Sequence, residues 1–87
     1  MKQEELNELN KLFNKVKHEI GELGLHDDSK QMRRNGAVLA AIINETEQED
    51  SISFEEKVRR INMISDKVGE FKNIELEENR TKEELER

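Results

Sequence analysis

The first residues whose types and spacing suggest chemistry are His18, Glu22, His26 and Asp27. His18 and Glu22 stand four apart, so a helix would present both on one face at a metal-ligand spacing. The HExxH pattern is absent, however, and His18 falls on the outward side of an apolar stripe. We read the group as solvated side chains and expect no metal, no cofactor and no catalytic residue.

A second group is basic. Lys30, Arg33 and Arg34 crowd the start of a predicted helix. A helix N-terminus offers unpaired N–H groups to an anion, and guanidinium adds bidentate recognition of phosphate. This end is the candidate site for a small anionic ligand such as a nucleotide. No glycine-rich loop accompanies it, no Trp or Tyr is present to stack a base, and Asp27 and Asp28 are ready counter-charges. A third group is acidic: Glu45, Glu47, Glu49, Asp50, Glu55 and Glu56 have no basic residue between them. Such a patch suits a basic protein surface and would steer its approach.

The segment HEIGEL, His18 to Leu23, resembles the E-x-x-E helix of the all-α nucleotide pyrophosphatases of the MazG type. That resemblance implies four acids holding Mg²⁺ against a nucleoside triphosphate. Glu19 and Glu22 match the first pair, and Glu47 and Asp50 have the E-x-x-D spacing of the second. The pattern departs from the family where Glu47 and Asp50 fall in a polar break. Mg²⁺ sites need carboxylates on rigid, converging elements, so an enzyme is not our reading.

The elements that must position these groups are organised around Gly36 to Ile43, GAVLAAII, the unbroken apolar run of the chain. Alanine content makes it helical. Advancing about 100° per residue places Val38, Leu39, Ile42 and Ile43 on one side, with Met32. Gly36, Ala37, Ala40 and Ala41 fall on the other. The large side should fill the core. The small side should let a second helix approach closely, which makes these four residues the expected contact for self-association.

Before this run, Leu6, Leu9, Phe13, Val16, Ile20 and Leu23 recur at steps of three and four, a heptad stripe over a helix spanning residues 2–23. Gly24 is placed as its left-handed cap, with Leu25 packing back on Ile20. The short link predicts an antiparallel return. Asp28 caps the second helix, which runs to about Thr46, and Asn35 lies on its core side. After a polar break at 47–53, Ser53 and Glu56 have capping-box spacing and start a third helix at Phe54. Its apolar residues Phe54, Val58, Ile61, Ile64, Val68, Phe71 and Ile74 recur more often than a helical period allows, so this helix wraps its neighbours or bends or ends near Asn73.

The fold class is therefore all-α: an N-terminal antiparallel helical hairpin plus a long C-terminal helix. Residues 1–76 form one domain, and 77–87 form a charged helical extension or a frayed tail. With 87 residues and no cysteine, a modest core must supply all the stability. A net charge of −6 argues against nucleic acid as a partner. No stretch approaches the roughly 20 apolar residues that span a bilayer. The acidic N-terminus lacks the apolar core of a secretion signal, and the absence of cysteine suits a reducing cytoplasm. We expect a small cytoplasmic regulator or inhibitor that binds a larger protein and forms a homo-oligomer.

Overall fold

A computed structural model describes residues 1–23 and 30–86, except the side chains of 78, 79 and 81–86. The described residues form α1 (Gln3–Gly21), α2 (Lys30–Gln48) and α3 (Phe54–Glu86), without strands, and each helix packs on the other two. Contacts between the helices set their directions. Glu22 at the end of α1 meets Lys72 in the second half of α3, and the end of α2 meets Lys57 in the first turn of α3. Hence α2 runs against both α1 and α3. At about 1.5 Å per residue, α3 measures roughly 50 Å against roughly 28 Å for its neighbours, so its C-terminal part projects from the bundle. This matches a longest dimension of 56 Å.

Buried residues follow a strict alternation of three and four along every helix. On α1 and just beyond it they are Leu9, Phe13, Val16, Ile20 and Leu23. On α2 they are Met32, Gly36, Leu39, Ile43 and Thr46. On α3, Lys57, Ile61, Ile64, Val68 and Glu75 are buried, while Phe54 and Phe71 are half-buried at the intervening heptad places. This is the coiled-coil pattern of three helices winding on one another.

The pattern corrects two expectations and decides between the alternatives of a third. First, the large face of α2 is not one face: Leu39 and Ile43 are buried, but Val38 is 59% and Ile42 43% exposed. Residues one apart on a helix differ by about 100° in direction, so Val38 and Ile42 cannot follow Leu39 and Ile43 inward. Second, the small face divides the same way. Gly36 is buried and Ala40 half-buried, whereas Ala37 and Ala41 are exposed. Gly36 marks a close approach of α1 and α2: a Cβ there would lie 3.5 Å from the Ile20 carbonyl oxygen and 3.7 Å from Leu23 Cβ. Gly36 therefore serves the bundle's own packing, and Ala40 packs in part against the same core. Third, of the alternatives for α3, an end near Asn73 is excluded, since the helix runs from Phe54 to Glu86 and winds on its neighbours. The crowded spacing came from counting Val58 and Ile74, whereas Lys57 and Glu75 take the inner places and leave Ile74 47% exposed. Asn35 is half-buried and its Oδ1 accepts from Gln31 Nε2 at 3.2 Å. The proposed caps at Gly24 and Asp28 lie outside the described residues.

Local chemistry fixes the ends. The Glu5 carboxylate reaches back to the Lys2 backbone N–H at 3.0 Å. Ser53 Oγ accepts from the Glu56 N–H at 3.1 Å, the first half of the capping box. The carboxylate of Glu56 goes instead to Arg59 and Arg60. Lys57 is buried because its ammonium donates to the Glu47 carbonyl at 3.1 Å, satisfying a free acceptor at the negative end of α2.

Candidate docking surfaces

The bundle places the members of the acidic group in different environments. Glu47 Oε2 pairs with Lys17 at 2.7 Å, on the α1 side of α2. Glu56 is held by Arg59 and then Arg60, whose hydrogen bonds lower its pKa to about 2. Glu49 accepts from the Ser51 hydroxyl, which with the Ser51 N–H holds its carboxyl below the ordinary value. Asp50 and Glu55 remain exposed at one end of the bundle, and Glu45 is exposed on α2.

Asp50 and Glu55 border an open cleft of about 540 Å³ at the end where α1 begins and α2 turns into α3. Its apolar lining is Met1, Leu6, Ile52 and Phe54, and Glu5 completes the acidic border. Met1 and Leu6 are 56% and 41% exposed, so this lining is accessible. Lys57 also reaches the cleft, but its ammonium is engaged at the end of α2. Sequence reasoning named Asp50 and Glu55 for this surface but assigned Leu6 and Phe54 to the core stripes, whereas Leu6 is 41% exposed and both line the cleft. The lining comes from two stretches of chain, residues 1–6 and 50–57, that only the folded bundle brings together.

A second surface is the outer side of α2. Exposed Ala37, Val38, Ala41 and Ile42 lie between Lys30, Arg33 and Arg34 on one side and Glu45 and Glu49 on the other. Ile42 also lines an open groove of about 250 Å³ with Met63 and Ile64 of α3, bordered by Glu45, Glu49 and Arg60. Met63 is 58% exposed.

The remaining candidates are distributed as follows. Lys30, Arg33 and Arg34 are exposed, and neither the cleft nor the groove includes them. Glu22 is shared by His18 Nε2 at 3.0 Å and Lys72 Nζ at 2.9 Å, and its pKa is lowered chiefly by Lys72. Lys72 is raised in return by its hydrogen bond to Glu22. His26 and Asp27 lie outside the described residues. Among the described residues, no three His, Asp or Glu side chains converge as a metal site. Nor is any helix among them long and apolar enough to cross a membrane. The chain matches no family model, no curated protein and no solved structure.

Proposed function

We propose that this chain is a small non-enzymatic interaction module, a cytoplasmic regulator or inhibitor that acts by binding a larger protein. Its end cleft receives a basic amphipathic segment of that partner. One observation carries the reading: Leu6, Ile52 and Phe54 form an accessible apolar lining bordered by Glu5, Asp50 and Glu55. Apolar contact supplies affinity while the acidic border selects the sign of the partner and speeds encounter. A cleft this small suits a short segment and a transient complex.

The test uses two helical peptides with identical apolar faces and either lysine or glutamate on the polar face. The lysine peptide should bind the intact chain in a salt-dependent manner, with NMR shift changes centred on Leu6, Ile52 and Phe54. Asp50→Lys combined with Glu55→Lys should abolish this preference while leaving the circular dichroism unchanged. Equal binding of both peptides, or shift changes confined to other surfaces, would refute the proposal.

A further inference from the structure

The outer face of α2 is left without a partner by the bundle, and its residues are ordered by charge. From its start to its end, the face presents Lys30 and Arg34, then Ala37, Val38, Ala41 and Ile42, then Glu45 and Glu49. We infer that this face pairs with a second copy of the chain in an antiparallel, two-fold symmetric dimer. The inference stands apart from the end cleft, which this pairing leaves uncovered.

Three observations select that occupant. The first is apolar exposure: Val38 is 59%, Ile42 43% and neighbouring Met63 58% exposed. The second is charge complementarity. A two-fold axis crossing α2 between Leu39 and Ala40 places Arg34 opposite Glu45 of the second copy, and Lys30 opposite its Glu49. The same axis sets Val38 against Ala41 and Ala37 against Ile42, so large side chains meet small ones. Symmetry makes every such pair occur twice. A parallel arrangement would instead set Arg34 against Arg34 and Glu45 against Glu45, which excludes it. Within the chain, no ion pair among the described residues already occupies Lys30, Arg34 or Glu45.

The third observation is that, within its described residues, α2 carries its charges the wrong way round for its own dipole. Its first turn has no acidic residue and its last turn no basic one, whereas α1 and α3 both begin with two glutamates. Lys57 and Lys17 relieve the C-terminal end from within the bundle. At the other end, antiparallel pairing adds Glu45 and Glu49 of the second copy to the acids Asp27 and Asp28 that precede α2 in the sequence. One helix pair of roughly 28 Å is a small interface, so the dimer is a reversible one that forms in the micromolar range.

Sedimentation velocity on the full chain, from low to high micromolar concentration in dilute salt, tests the pairing with a charge exchange. Arg34→Glu and Glu45→Arg should each weaken self-association by roughly tenfold or more, because each opposes like charges twice. Mixing the two single variants should restore association, since each then meets its opposite. Joining both substitutions in one chain should also restore it. Circular dichroism should be native throughout, as both positions are exposed. The inference is overturned by a wild type that stays monomeric over this range. It is equally overturned by single variants that associate as the wild type does, or by a mixture that fails to associate. A monomer that still binds the lysine peptide at the end cleft would overturn the dimer and leave the proposed function standing.

Discussion

Two adjacent isoleucines test the orientation of α2 most directly. Ile43 is completely buried and Ile42 is 43% exposed. Truncation of Ile43 to alanine removes three carbon groups, about 2.4 kcal/mol of transfer free energy at about 0.8 kcal/mol each. A residual cavity of a few tens of Å³ adds about 1 kcal/mol, for a total near 3–4 kcal/mol. A chain of 87 residues has a total stability of about 4–13 kcal/mol, so Ile43→Ala should remove a large part of it. For Ile42→Ala, little more than half of the side chain is withdrawn from water and no closed cavity remains. Its cost should be about 1–1.5 kcal/mol. Urea denaturation at low protein concentration, where self-association does not contribute, measures both. The melting temperature should fall by about 12 °C or more for Ile43→Ala and by less than about 12 °C for Ile42→Ala. Equal losses, or a greater loss at Ile42, would mean that α2 faces the bundle through a different side, and the packing described above would be wrong.

Gly36 offers a second test. The nearest atoms to an added Cβ lie at ordinary van der Waals distance, so Gly36→Ala should raise stability by up to about 1 kcal/mol through helix propensity. Gly36→Leu should overfill the crossing and cost about 1–3 kcal/mol, as read from thermal melts of the two variants. A third test is the acid limb. The Glu56 pKa falls from 4.5 to about 2 through Arg59 and Arg60. Its contribution to stability is fully present above the unfolded value and disappears as pH drops through the folded one. The wild type should therefore exceed Glu56→Gln in urea midpoint at neutral pH, and the gap should close between pH 4.5 and about 2. A gap that is constant across this window would refute the assignment.

The helices themselves were legible because apolar periodicity and capping are local signals. The start of α3 at Phe54 followed from Ser53, and α1 followed from its heptad. The direction of each face was legible only where apolar residues filled the heptad. On α1 they do. On α2 the inner places include Gly36 and Thr46, and on α3 they include Lys57 and Glu75. Each departure has a structural basis or a partner that composition hides. Gly36 fits a close crossing. Thr46 donates its hydroxyl to the Ile42 carbonyl at 2.9 Å. Lys57 serves the end of α2. Glu75 also has a partner. An apolar-count reading fills these gaps with Val38, Ile42 and Ile74, which lie beside the stripe, and so rotates the face.

That rotation has a functional consequence. If Val38 and Ile42 belonged to the core, α2 would present only alanines and charges to solvent, and neither would demand a partner. With Leu39 and Ile43 inside, α2 carries two large aliphatic side chains on its outer face, next to Met63 of α3. The same helix has charges that oppose its dipole, whereas the first turns of α1 and α3 are acidic. Natural sequences tend to break local consistency at sites where another requirement operates. Both departures on α2 would be relieved by one contact, the proposed antiparallel copy of itself, whereas a partner chosen for apolar fit alone would relieve only the first. The end cleft lies away from this axis, bordered by Glu5, Asp50 and Glu55. A two-fold dimer would therefore carry two such clefts, and a partner with two basic segments would gain avidity from engaging both.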